Sequence, residues 1–175
     1  MTNEVEMVYL VTGPVGSGKT TRLLQWLDGV AADTTVYCGG IAAPVRDGHR
    51  YLRRVPDGEE RLLDAAAEVT EGYLVKIGHH VFDRRIFEWG RRHLDASLAA
   101  LLDDGHDAVR RFLVIDEIGP LELTSRGLGQ TVVDVFARYA DSEEFDVIMV
   151  VRDYLVEDII DTYGLDPNNI TTDLP

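Results

Sequence analysis

The run Gly13-Pro14-Val15-Gly16-Ser17-Gly18-Lys19-Thr20-Thr21 has the residue types and spacing of a phosphate-binding loop, G-x-x-x-x-G-K-[ST] (Walker A). Glycines let the chain turn tightly and aim its N–H groups at one point, where phosphate oxygens can sit. A helix starting at residue 18 adds its positive N-terminal end. Lys19 is then placed to reach the β- and γ-phosphates of a nucleotide, and the Thr20 hydroxyl to ligate Mg²⁺. A chance match in a chain of this composition has odds of roughly one in a thousand. Lys19 is also one of only two lysines, the other being Lys76.

A second constellation is Asp116-Glu117, which follows the apolar run Phe112-Leu113-Val114-Ile115. Carboxylates at the carboxyl end of a strand lie at the edge where α/β sheets bind ligands. Asp116 suits an anchor for the waters of a bound Mg²⁺, as in a Walker B strand. Glu117 is placed to polarise a water for attack on a γ-phosphate. Aspartate followed by glutamate favours hydrolysis over transfer to a bound acceptor.

These residues need elements to hold them, and the hydrophobic pattern supplies candidates. Residues 7–12 are a short, β-branched apolar run that reads as a buried strand. Residues 18–28 carry Leu23, Leu24, Trp26 and Leu27 at helical spacing, with Gly29 as a stop signal. Residues 34–38 read as a strand ended by Gly39-Gly40, and 44–55 as a hairpin around Arg46-Asp47-Gly48-His49. A strand at 73–77 and a long helix over 82–102 follow. The second half predicts strands at 112–115 and 147–151 and helices at 128–139 and 154–163. Strands alternating with helices imply a layered α/β fold with a largely parallel sheet, read as one domain over 1–175.

Composition narrows the function. The 175 residues carry a formal net charge of −14, with a sequence pI near 4.6. That disfavours nucleic acid and anionic lipid as partners, since both want a basic face. Cys38 is the lone cysteine, so neither an intrachain disulfide nor a cysteine zinc cluster is expected. No apolar run is long enough to span a bilayer, and the expected location is the cytoplasm. Aspartate-rich, lysine-poor composition fits a salty cytoplasm or a GC-rich codon bias equally well. The expected state is a monomer or weak oligomer, with room for a protein partner.

The phosphate loop, Gly39-Gly40, and the stretch Asp116-Glu117-Ile118-Gly119-Pro120-Leu121-Glu122-Leu123 together resemble the THEP1-like nucleoside-triphosphatases. The resemblance runs from residue 7 to about 165, and Asp-Glu-Ile-Gly-x-x-Glu-Leu is its most specific part. It implies a three-layer P-loop NTPase sandwich with RecA/ASCE-like strand order plus a small hairpin. It also implies hydrolysis of ATP, GTP and other nucleoside triphosphates with little base preference. Two departures stand out. Val15 occupies a position where the family often has proline, and Gly119-Pro120-Leu121-Glu122 replaces a frequent Gly-Lys-Met-Glu, so no role for that lysine transfers. The family fold implies a strand between the phosphate-loop strand and the Asp116 strand, for which 147–151 is the candidate. Arg152 would then emerge near the γ-phosphate, with Arg126 as a rival arginine and Glu122 as a residue that orients the loop or is merely solvated.

Other features weigh less. His79-His80 lack a third metal ligand at matching spacing. Arg84-Arg85 and Arg91-Arg92 read as an exposed helix face. Trp26 and Trp89 read as core, although either could cover a base. The alternatives to a hydrolase are a small-molecule kinase with an acceptor pocket built from residues 40–80, and a nucleotide-binding regulatory module. The guanine motif Asn-Lys-x-Asp of GTPase switches does not occur.

Overall fold

The computed structural model describes residues 6–103, 107–118, 128–139 and 145–175, without the side chains of residues 117 and 118. Its centre is a run of five parallel strands: β1 (Val8–Gly13), β2 (Val36–Ala42), β8 (Arg110–Ile118), β9 (Asp146–Arg152) and β10 (Ile170–Thr171). Across the sheet they stand in the order β10-β1-β9-β8-β2. Numbering only the parallel strands in chain order, this is 5-1-4-3-2, so β9 is the strand inserted between β1 and β8. Beyond β2 the sheet continues antiparallel through β4 (His49–Arg54) and β3 (Val45–Arg46), and β5 (Glu60–Leu62) pairs with the other edge of β4.

The alternation of apolar side chains explains the layers. Along β8, Phe112 and Val114 face one core while Leu113 and Ile115 face the other. Along β9, Ile148 and Val150 take the first side, and Val147, Met149 and Val151 the second. Parallel strands apolar on both faces must be covered on both faces. Helix α1 (Lys19–Val30) covers one with Leu23, Leu24, Trp26 and Leu27. Helices α2 (Arg84–Leu101), α3 (Gly129–Tyr139) and α4 (Val156–Tyr163) cover the other through Trp89, Leu94, Val132, Val135 and Ile159.

Several boundaries differ from the sequence reading. Helix α1 runs through Gly29 to Val30. A helical glycine costs only about 1 kcal/mol against alanine, and the packed face of α1 outweighs it. Strand β2 does not stop at Gly39-Gly40 but continues to Ala42. Gly40 has φ +112°, and a β-carbon there would lie 2.0 Å from the Val114 carbonyl oxygen on β8. Its N–H donates to Ser97 Oγ on α2 at 2.8 Å. The glycine pair therefore brings strand and helix into close approach rather than ending the strand.

The expected helix over 82–102 starts later. Strand β6 (Leu74–Ile77) turns at Gly78-His79 into β7 (His80–Asp83), a separate two-stranded sheet that claims Phe82. Asp83 then caps α2, accepting from the Arg85 N–H at 3.0 Å. The helix expected from 154 begins with a tight turn at Asp153–Leu155 before α4. The hairpin over 44–55 is β3 and β4, joined by a turn with φ +51° at Asp47 and +80° at Gly48, the two-residue turn that suits right-twisted strands.

Candidate active site

Strand β1 delivers the glycine-rich loop to the carboxyl edge of the sheet, and α1 starts at its end. Gly18, φ +80°, is the residue before the helix and supplies no side-chain cap, and no acidic side chain occupies the first helical turn. The left-handed backbone that only glycine adopts easily lets the loop swing directly into the helix. No side chain caps the N–H groups of that first turn, which leaves the kind of helix start that suits an anion. The Lys19 ammonium lies back over the loop and donates to the Gly13 and Pro14 carbonyl oxygens at 2.9 and 2.7 Å.

Asp116 meets this loop from two strands away. It is only 1% exposed, at the end of β8. Its Oδ1 accepts from the Thr20 hydroxyl at 3.2 Å, and its Oδ2 accepts from the Ala43 N–H at 2.8 Å. The carboxylate thus clasps the first turn of α1 to the segment where β2 hands over to the hairpin. Register between β8 and β9 slips between Ile115 and Ile118, where β8 carries one extra residue. A bulge re-aims side chains at a strand end, and this one spans Asp116 and Glu117. The backbone of Glu117 lies in β8, and its side chain is outside the described residues.

The cleft holds a cavity of about 430 Å³. Its walls are loop residues Val15 to Thr21, Leu24 of α1, Ala43 to Arg46 and Arg50 of the hairpin, Asp116, and Val150 and Arg152 of β9. Val15, where the resembled family often has proline, is 72% exposed at the rim. Arg152 pairs in register with Gly13 and donates through Nη1 to the Tyr154 hydroxyl at 3.2 Å. One hard-oxygen corner, Thr20 with Asp116, thus faces a rim that carries four cationic side chains: Lys19, Arg46, Arg50 and Arg152. The cationic rim has the chemistry to suit a compact polyanion, and the Thr20 and Asp116 oxygens are of the kind that could hold a divalent cation.

The structure brings Gly13 through Thr21, Asp116 and Arg152 together. Arg126 and Glu122 lie outside the described residues. Sequence reasoning missed Arg46, Arg50 and the Ala43 N–H. The only signal for them was a pair of arginines flanking the Asp47-Gly48 turn. The features weighed lightly in the sequence are away from the cavity. No cluster of three or more metal-ligating side chains occurs among the described residues. The His80 ring stacks on Phe82, 5.7 Å between centroids. Arg84 pairs with Glu88 one helical turn on, and Arg85 with Asp83. Trp26 donates to the Pro175 carbonyl at 2.7 Å and packs edge-on to Phe112, while Trp89 is buried under Arg61. Neither ring lines the cavity. Cys38 is half-buried, and desolvation pushes its thiol up to about 11. No helix among the described residues is long and apolar enough to cross a membrane.

A parallel sheet ordered 5-1-4-3-2, with a glycine-rich loop after its first strand and an acidic end on its third, defines a P-loop NTPase of the RecA/ASCE arrangement. Comparison with known proteins makes the class specific. Residues 8–167 match the model of a family described as NTPase. The nucleoside-triphosphatase THEP1 of Methanothermobacter thermautotrophicus is 35% identical over 139 residues, covering 75% of this chain and 71% of that one. The crystal structure of THEP1 from the hyperthermophile Aquifex aeolicus superposes with a TM-score of 0.67 at 17% identity, covering 94% of this chain and 87% of that one. The chain belongs to this NTPase family and is a nucleoside-triphosphate hydrolase.

Proposed function

We propose that the chain hydrolyses the β–γ linkage of ATP, GTP and other nucleoside triphosphates in a Mg²⁺-dependent reaction, releasing nucleoside diphosphate and inorganic phosphate. The observation that carries this reading is the Thr20–Asp116 contact at 3.2 Å beside the uncapped start of α1. The donors in that corner are a hydroxyl and a carboxylate, both hard oxygens. Mg²⁺ favours one or two such groups completed by phosphate oxygens and water. Thr20 would ligate the ion directly and Asp116 would hold its waters. Bound there, Mg²⁺ supplies charge neutralisation across the β- and γ-phosphates.

The chain's own groups do the rest. The loop N–H groups and the first turn of α1 hold the phosphate oxygens. Lys19 exchanges the Gly13 and Pro14 carbonyls for phosphate. Glu117 orients a water so that its oxygen bonds to the γ-phosphorus as the bond to the β–γ bridging oxygen breaks. The electron pair leaves with the diphosphate, and the water's proton passes to Glu117 and then to solvent. Arg152 is assigned to sensing or stabilising the γ-phosphate, and Arg126 remains its rival for that role. Loop contacts go to phosphates and not to the base, which supports broad nucleotide use. The cytoplasm, rich in nucleoside triphosphates and Mg²⁺, is the assigned compartment, and nucleic acid is not a needed partner for an acidic chain.

Phosphate release by the purified chain from ATP, GTP, CTP and UTP, with and without Mg²⁺, tests this. The expected result is release from all four that stops when Mg²⁺ is chelated. Tight binding without release would instead mark a regulatory module. Labelled phosphate appearing on an added nucleoside would mark a kinase.

A further inference from the structure

We propose that Arg46, on β3 of the hairpin, is a phosphate-binding residue of the hydrolytic site, which Glu60 holds aside until a nucleoside triphosphate arrives. The proposal rests on the reading of the cavity as the nucleotide site and adds a residue to it. Three observations carry it. First, the hairpin is tied to the metal corner. Asp116 takes the Thr20 hydroxyl with one oxygen and the Ala43 N–H with the other, and Ala43-Pro44 leads straight into β3. The hairpin therefore stands on the γ-phosphate side of the loop. Second, Arg46 lines the same cavity as Lys19 and Thr20. Third, its guanidinium is not idle. It makes a two-pronged pair with Glu60 on β5, Nη2 to Oε1 at 2.7 Å, reaching across β4 to do so.

The pair is suited to exchange. The Arg46 side chain is 52% exposed, and exposed ion pairs contribute little net stability. A planar guanidinium binds phosphate with the same fork it uses on a carboxylate. A triphosphate carries several negative charges against the single charge of Glu60, and as the bond breaks that charge is spread over the equatorial oxygens of the γ-phosphoryl group and the leaving oxygen. Arg46 released from Glu60 can follow that charge without any movement of the sheet.

Steady-state hydrolysis of Mg-ATP and Mg-GTP by the full chain tests this, with Arg46→Ala, Arg46→Lys, Glu60→Gln and Lys19→Ala compared and melting curves taken for each. Arg46→Ala should lower kcat by about 100-fold at an unchanged melting temperature. Arg46→Lys, which keeps the charge and the pairing with Glu60 but loses the fork, should recover only part of that. Glu60→Gln should lower KM by about 3-fold, because the arginine no longer has to leave a charged partner. A merely structural pair behaves differently: Arg46→Ala and Glu60→Gln would then lose activity and melting temperature together, and that outcome overturns the proposal. Wild-type kcat/KM in Arg46→Ala, with Lys19→Ala inactive, overturns it while leaving the nucleotide site intact. An active Lys19→Ala would remove the site reading itself and this inference with it.

Discussion

Replacing Gly40 by alanine puts a methyl carbon 2.0 Å from the Val114 carbonyl oxygen, well inside contact distance. The obstacle is main chain of the strand that carries Asp116, paired in register with Gly40, so it cannot rotate away as a side chain would. The backbone at φ +112° is a second obstacle, since side-chain-bearing residues held in such regions lose about 1–3 kcal/mol. Overpacking a well-filled site costs about 1–3 kcal/mol more, which makes the total loss about 2–6 kcal/mol. A chain of this size loses about 2–4 °C of melting temperature per kcal/mol, so the midpoint should fall by about 4–24 °C. Activity should fall as well, because β2 delivers the Ala43 N–H to Asp116. The assay is thermal unfolding by circular dichroism with phosphate release measured alongside. Gly39→Ala is the internal comparison: its β-carbon would meet the Ser97 side chain at 2.8 Å, and Ser97→Gly should relieve that clash, at the expense of the hydrogen bond Ser97 accepts from the Gly40 N–H, while leaving the clash of Gly40→Ala with Val114 in place. A Gly40→Ala protein melting within about 2 °C of wild type would refute the close-approach argument.

Two further outcomes follow from the same geometry. Asp116→Asn keeps shape but puts an amide where two donors, the Thr20 hydroxyl and the Ala43 N–H, now point at a carboxylate. It should retain Mg²⁺-free nucleotide binding and lose stimulation by Mg²⁺ by about 100-fold, read as phosphate release across a Mg²⁺ titration. His93 sits 3.5 Å from an Arg54 guanidinium nitrogen and against Trp89, near Arg61, Glu59 and Asp57. Burial, with Arg54 assisting, holds its pKa below the ordinary histidine value. The folded state then binds fewer protons than the unfolded one, so this stability is present above the unfolded pKa of about 6.5 and is lost as pH falls below it. His93→Gln should flatten the melting temperature between pH 7 and pH 5 relative to wild type.

How much of this was legible in the sequence depended on how local its cause was. The glycine-rich loop, β1, β8 and β9 were readable because their apolar runs are buried on both faces and end at chemistry-bearing residues. The position of β9 between β1 and β8 came from the family resemblance, not from periodicity. Gly39-Gly40 read as a strand end because glycine usually punctuates, and only Ser97 and Val114, distant in sequence, make glycine the residue that fits. Strand β5 is short and polar with Glu60 and Arg61, and β10 is two residues long, so neither carries an alternating signal. Phe82 matched a helical period while Asp83, the cap that ends β7, was the better marker. Arg46 and Arg50 were invisible as site residues because nothing along the chain says that a hairpin leans over a loop thirty residues earlier.

Glu117, near the end of β8, is the residue proposed to activate the water that cleaves a bound triphosphate. Its most direct test pairs equilibrium nucleotide binding with single-turnover phosphate release for Glu117→Gln. The account requires binding within about 3-fold of wild type and cleavage slowed by at least about 100-fold, the scale of a lost general base. Cleavage at the wild-type rate by a variant that binds normally would contradict it.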